Sequence, residues 1–260
     1  MKVLIAIPIY ITKQLHLDFT RETVDSIKSI HKHDIVFVKN RCAPELEPPL
    51  RKMGLTVINN PSGNSVTAAW NMGITRGIKY KYDYILIPNN DIIFHPKAVD
   101  NLVKFAEQHP EFVLWTASEH VNSRTLTAEA LGDTFDEHPH FSCFMVSPKT
   151  VELLEKKERY TKETLPGLFD EDFRPAYFED GDYHNRLLRA GFKAGKTASS
   201  RFYHYGSRTI GVDDRLNIDN AKTYEINRKR FIEKWGWDPH NSVMPNDDKR
   251  RFEYKAPYTP

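Results

Sequence analysis

The sequence predicts an α/β fold with a mainly parallel central sheet flanked by helices on both faces. Three observations carry that prediction. Apolar runs that are continuous rather than alternating mark strands buried on both sides. Each such run is followed by a stretch with helical spacing, four times over in residues 1–110. The polar residues that end these runs fall at the carboxyl ends of the strands, where sheets of this kind hold ligands. The 260 residues suffice for one large domain, with 40% hydrophobic and 28% charged residues placing it among ordinary globular chains.

The elements follow in order. "KVLIAIPIY" is an unbroken apolar run and predicts the first strand. "FTRETVDSIKSI" sets Phe19, Val24, Ile27 and Ile30 near helical spacing, with Thr20 as its cap. "DIVFVKN" is the second strand, and "PELEPPLRKMG" a short helix ended by Gly54. "LTVINN" is the third strand, and "NSVTAAWNMGITRGI" a helix with Asn64 as N-cap. "YDYILIP" is the fourth strand, and the helix "HPKAVDNLVKFAEQH" has Pro96 near its start. Beyond residue 110 the texture changes. "FVLWTAS", "SRTLTAEAL", "HFSCFMVS" and the short "SSRFYHYGS" read as strands. "PKTVELLEKK" and "EDGDYHNRLLRAG" read as helices, the second ended by Gly191. A last long helix contains Ala221, Tyr224, Ile226, Phe231 and Trp235. No segment rich in Gly, Ser or Pro separates two domains. Residues 1–236 are therefore one domain, with a nucleotide-binding half at 1–110, an acceptor-binding half at 111–236 and a tail at 237–260.

Composition excludes several classes. A formal charge of +2 names no polyanionic partner. Cys42 and Cys143 lie far apart and make neither a metal spacing nor a disulfide framework. "VLIAIPIYI" is too short to span a membrane and lacks the flanks of a signal peptide. These features point to a cytoplasmic protein with no transmembrane segment, open to peripheral contact with a membrane. No HExxH, CxxC or DxDxDG pattern occurs. Nor does a GxGxxG or P-loop glycine pattern follow the first strand, which argues against nicotinamide oxidoreductases and P-loop kinases.

Three polar groups could carry chemistry. Asn89, Asn90 and Asp91 end the fourth strand; they suit a turn, and equally a hard divalent cation beside a phosphate, with Asp91 as ligand. Glu179, Asp180 and Asp182 open a helix, where acids cap the positive end; one of them could equally be a rigid general base. Asp182 and Arg186 have the spacing of an ion pair. His204 closes a strand and is either a packed histidine or a metal ligand.

Taken together, these segments resemble the inverting GT-A glycosyltransferases, in particular the large family 2, over roughly residues 2–236. "IAIPIY" is similar to the family's first strand, and "INNPSGNSVTAAWNMGI" to its N-x-G-x-x-x-A-x-N-x-G segment. "DYILIPNNDIIFHPKAV" resembles the strand that ends in the DxD metal motif. "LFDEDFRPAYFEDGDYHNRLLRAGFK" resembles the run that contains the ED motif, and "FYHYGS" the closing histidine element. The resemblance implies a GT-A, nucleotide-diphospho-sugar transferase fold and a nucleoside diphosphate sugar as donor. It also implies transfer to a hydroxyl with inversion, a saccharide acceptor by default, and Mn²⁺ or Mg²⁺ as cofactor. By position it makes Asp180 the base, with Glu179 and Asp182 as supports or acceptor contacts. Asp91 and His204 become the metal ligands. Pro8, Tyr10, Asn40, Asn64, Asn71, Asn89 and Asn90 line the nucleotide sugar together with Asp91. Arg201 or Arg208 is placed to add positive charge near the leaving group.

The sequence departs from the family pattern at Asn89, where an aspartate is usual, and at "KNRC" after the second strand, where an acid is usual. An amide keeps a hydrogen bond but drops a negative charge. The alternative function is glycosylation of a modified base in nucleic acid, with "NRKR" at 227–230 and "DDKRR" at 247–251 as phosphate contacts. A solvated helix face is the blander account of "NRKR". Two rivals are a nucleotidyltransferase, which lacks its glycine-rich loop after the first strand, and a non-catalytic glycan-binding protein.

Overall fold

The computed structural model describes residues 1–158, 166–206 and 220–239. β1 (Lys2–Ile11) is buried almost throughout. Its side chains alternate between two cores, with Val3, Ile5, Ile7, Ile9 and Ile11 on one face and Leu4 and Ala6 on the other. α1 (Gln14–Ser26) starts earlier than its apolar spacing suggests. Thr20 is therefore no cap: it lies inside the helix and its hydroxyl donates to the His16 carbonyl at 2.8 Å. Ile30 falls beyond the helix and is 87% exposed.

β2 (Lys32–Cys42) is followed by a single 3₁₀ turn at Pro44–Leu46 and α2 (Glu47–Arg51). Gly54 then takes φ 72°, as expected of the residue that stops this helix. Next come β3 (Thr56–Asn59), α3 (Val66–Lys79) and β4 (Tyr84–Pro88). Ser65, not Asn64, caps α3; its hydroxyl accepts from the Ala68 N–H at 3.2 Å. Two glycines let α3 lie on the sheet. A Cβ on Gly73 would come within 2.7 Å of Ala6 Cβ, and one on Gly77 within 2.1 Å of Ile85 Cγ1.

The second half comprises β5 (Ile92–Phe94), α4 (Ala98–Gln108), β6 (Phe112–His120), β7 (Phe135–Asp136) and β8 (Cys143–Val146). It continues with α5 (Pro148–Glu158), α6 (Glu179–Arg189), β9 (Lys193–His204) and α7 (Asn220–Trp235). Among the described residues the strands form one curled sheet in the order β3-β2-β1-β4-β8-β6-β9-β5, with β7 paired to β9. The expected parallel arrangement holds across β3, β2, β1 and β4. Beyond β4 the sheet is mixed: β8 runs antiparallel to both its neighbours, β6 and β9 are parallel, and β5 is antiparallel to β9. The two halves share this sheet, since β5 pairs with β9 and β8 inserts between β4 and β6.

Three expectations are corrected. Residues 123–131 are not a strand: Thr125, Ala128 and Glu129 close local turns onto the carbonyls of Asn122 and Thr125. Of the alternating apolar positions there, Leu126 is buried at 1%, so the stretch has no buried face for a sheet to use. The strand expected at 199–207 is the second part of a longer one that starts at Lys193. In α7 the buried row is Asn227 and Phe231, while Ile226 is 48% exposed. The expected tail lies outside the described residues from 240 onward; Trp237 packs on Phe231 with ring centroids 5.1 Å apart.

One core, containing α1 and α4, fills one side of the sheet, and the other, containing α3, α5 and α6, fills the opposite side. β5 would leave a free edge, which α1 covers. The hydroxyl of Thr23 bonds both the N–H and C=O of Ile92, at 3.2 and 2.8 Å, and Ser26 Oγ accepts from Phe94 N at 3.0 Å. Among the described residues no helix is long and apolar enough to cross a membrane.

Candidate active site

The carboxyl ends of β1, β2 and β4 meet the amino end of α3, as a doubly wound sheet requires. β1 pairs Ile9 with Lys39 and then Tyr10 with Arg41, so Asn40 is the extra residue of a β-bulge. The bulge brings Asn40 to Asn60, whose amide donates to it at 2.7 Å. Arg41 reaches the Tyr10 hydroxyl at 3.4 Å. Asn64 is exposed at the mouth of α3. Pro8 is buried inside β1, opposite Val38, and does not reach the cleft surface.

β4 ends at Pro88, and the next three residues point to different tasks. Asn89 is half-buried, and its backbone N–H is held by the Ser142 carbonyl at 2.8 Å. Asn90 turns inward, is 6% exposed and donates to Thr20 Oγ1 at 3.0 Å, so its amide fixes the turn rather than facing a ligand. Asp91 points to the site. Its Oδ1 lies 3.1 Å from His204 Nε2, and its carbonyl accepts from Tyr205 N at 3.0 Å. The other ring nitrogen of His204 faces Ser142 Oγ at 3.5 Å. Burial acts to lower the pKa of His204. The hydrogen bond and charge of Asp91, with Glu119 behind, outweigh burial and raise it.

His140 is a residue that sequence reasoning does not single out. Its Nε2 is 2.9 Å from Glu119 Oε2, and it stands between His204 and Asp180, close enough for its charge to act on both. Burial pushes its own pKa down, against the pull of Glu119. No sequence motif marks it, because the loop before β8 carries it there.

α6 supplies the acids. Asp180 is exposed at its first turn, and one carboxylate oxygen accepts from Gly181 N at 2.7 Å. Water reaches this carboxylate, yet the protein packed around it desolvates it enough to raise its pKa, against the pull of Gly181 N–H and His140. Glu179 is buried at 8% exposure, and among the described residues its Oε2 has no hydrogen-bond partner. Burial first, then the Asp180 charge, hold its carboxyl well above the usual range.

Asp182 does something else. It is fully buried and accepts from Arg186 Nε at 3.0 Å, Trp235 Nε1 at 3.0 Å and Lys234 Nζ at 2.9 Å. The expected pair with Arg186 forms, but Asp182 anchors α7 and is out of reach of an acceptor. Asn71 is likewise turned away from the nucleotide. It clamps the 169–171 loop, accepting from Phe169 N at 2.9 Å and donating to Phe169 O at 2.9 Å and Glu171 Oε1 at 3.0 Å. Arg201 folds back onto the Ala198 carbonyl at 3.1 Å, on the strand face opposite His204, so it does not serve the leaving group. Arg208 lies outside the described residues.

A carboxylate oxygen and an imidazole nitrogen side by side fit a borderline ion such as Mn²⁺ better than an all-oxygen ion such as Ca²⁺. Among the described residues no group of three His, Cys, Asp or Glu side chains comes together as a complete metal cage.

Comparisons with known proteins agree with this architecture. Comparison with curated proteins finds no match. Among solved structures, the crystal structure of GalNAc-T7 with UDP, GalNAc and Mn²⁺ matches with a TM-score of 0.59 at 12% identity. The match covers 78% of this chain and 43% of that one, so this chain spans less than half of that protein's length. At that identity the likeness is one of fold. Residues 4–159, more than half of the chain, match the model of glycosyl transferase family 2. The fold of a GT-A glycosyltransferase and this family match agree, and the chain belongs to glycosyl transferase family 2.

Proposed function

We propose that the protein moves a sugar from a nucleoside diphosphate sugar to the hydroxyl of an acceptor, a saccharide by default, with inversion at the anomeric carbon. The observation that carries this reading is the pairing of Asp91 with His204 at the end of β4, with His140 near enough to act on both His204 and Asp180. Asp180 takes the proton of the attacking hydroxyl, and its exposed place in the first turn of α6 supports that role. Asp91 and His204 would hold Mn²⁺ or Mg²⁺; Mn²⁺ is the ion in the GalNAc-T7 structure, together with UDP and GalNAc. When bound, such an ion supplies Lewis-acid stabilisation of charge on the departing diphosphate. Tyr10, Asn40, Asn64 and Asn89 remain placed to line the nucleotide sugar. Pro8, Asn71, Asn90 and Asp182 serve the fold.

Among the described residues of 227–230 Lys229 alone is exposed, which is thin support for the nucleic-acid alternative. Asn227 is buried, Arg228 pairs with Asp238, and Arg230 donates to Asp172 O and Asn227 Oδ1. Residues 247–251 lie outside the described residues. The test is a screen of nucleoside diphosphate sugars with Mn²⁺, read as thermal shift and as sugar transfer or hydrolysis. Binding with turnover supports the enzyme; binding with none above background leaves a glycan-binding protein and sinks the proposal.

A further inference from the structure

We propose that Asn227 of α7 is a positioning residue that holds the backbone turn presenting Asp180, an inference that rests on Asp180 being the base. The turn is strained. Tyr177 and Phe178, the two residues before α6, take φ of 81° and 70°, a region that side-chain-bearing residues avoid and bulky ones most of all. Phe178 occupies the N-cap position, and no side chain caps the helix there.

The segment that enters this turn is instead pinned from two sides. From α3, Val66 N donates to Pro175 O at 3.0 Å. From α7, the Asn227 amide donates to Ala176 O at 2.8 Å and to Arg174 O at 3.3 Å. Asn227 is fully buried, and its own oxygen accepts from Arg230 Nη1 at 2.8 Å, so both ends of the amide are engaged. Arg230 also donates to Asp172 O. One helix turn to either side, Tyr224 packs against Tyr177 and Phe178 at 5.4 and 4.8 Å, and Phe231 against Phe178 at 5.8 Å. Tyr224, Asn227 and Phe231 thus make one stripe of α7 devoted to residues 174–178. An apolar side chain at 227 would pack the helix. Only a donor there reaches the carbonyls of Arg174 and Ala176, on either side of Pro175, and so sets the angle at which α6 begins.

The reaction needs that angle, because misplacing a catalytic group by about 1 Å can cost roughly 10²-fold in rate. The experiment compares Asn227→Ala and Asn227→Gln with Trp235→Phe, which loosens the far end of the same helix by removing the indole bond to Asp182. Three quantities are read: kcat and donor KM for transfer, melting temperature, and amide exchange across residues 176–178. Asn227→Ala should lower kcat roughly 10–100-fold, leave donor KM within about two-fold, and speed exchange in that segment. Asn227→Gln, which keeps the donor, should recover part of both. Trp235→Phe should lower the melting temperature and leave kcat and that exchange alone. Equal loss of kcat in Trp235→Phe and Asn227→Ala at equal loss of melting temperature, or unchanged kcat in Asn227→Ala, overturns the positioning role. If the wild-type protein transfers no sugar from any donor, the proposed function fails instead. Exchange alone then decides, and unchanged exchange in Asn227→Ala overturns the claim that it holds the turn. Should Asn227→Ala not fold, Asn227→Ser takes its place, since its shorter hydroxyl cannot serve both carbonyls.

Discussion

Replacing Asp182 by asparagine separates an acid that builds the fold from its neighbour Asp180, which is assigned the chemistry. The Asp182 carboxylate is fully buried and receives Arg186 on one oxygen and Trp235 with Lys234 on the other. An amide can turn either way, but in each orientation its NH₂ meets a donor. The two cations would not be stranded, because Arg186 keeps Glu158 at 2.7 Å and Lys234 keeps Asp170 at 2.8 Å. The loss therefore belongs at the lower end of the range for a broken buried pair, about 3 kcal/mol. For a chain of this size that is roughly 6–12 °C in Tm. Thermal unfolding and transfer rate per folded molecule are the assays. Asp182→Asn should melt early and, below its transition, transfer sugar at close to the wild-type rate. Asp180→Asn should melt normally and lose ~10²–10⁴-fold in transfer while still binding nucleotide. An Asp182→Asn protein that melts like wild type and has lost transfer would refute the assignment of the two acids.

Asp91→Asn and His204→Ala should each abolish the thermal shift that Mn²⁺ adds in the presence of a nucleoside diphosphate; an undiminished Mn²⁺ shift in both variants removes these residues from the ion site. Glu179 predicts a pH effect with a definite sign. Burial and the Asp180 charge raise its folded pKa above the unfolded value, so its contribution favours the fold below the ordinary carboxylate range and is lost as pH rises toward the raised value. Glu179→Gln should therefore be about 1 kcal/mol more stable than wild type near neutral pH and gain nothing in mild acid, measured by denaturant unfolding at several pH values. A gain that is the same at every pH contradicts this. Gly77→Ala should destabilise by about 1–3 kcal/mol, because its Cβ would overlap Ile85 at 2.1 Å, and Ile85→Ala in the same chain should recover part of the loss.

The first half of the fold was legible because strands covered on both faces must be apolar throughout, as β1 and β4 are. The direction of β8 was not legible, since a four-residue apolar run carries no information on whether it lies parallel or antiparallel to β4. Asp91, Asp180 and His204 could be picked out by their place at element ends. The amides were harder. Asn89, Asn90, Asn71 and Asn227 have the same chemistry, and whether one faces a ligand or clamps a backbone depends on which way its side chain turns. Asn90 and Asn71 turned inward to Thr20 and the 169–171 loop. Asn227 lay in a helix whose apolar spacing drew attention to Ile226, one residue away and on the wet side. His140 depended on a loop path that no local pattern encodes.

β4 and β5 are joined by only Asn89, Asn90 and Asp91, yet in the sheet β8, β6 and β9 lie between them. The short link and the row of strands close a ring, and the Asp91–His204 contact that seals it joins residues 113 apart in sequence. Contacts of such long range bear the largest loop-closure entropy and form late. A chain emerging from synthesis can assemble β1 to β4 and still have no His204 for Asp91 to meet. Competence for chemistry thus waits on the docking of β9, and then on α7, which follows it in the chain and holds the turn before Asp180.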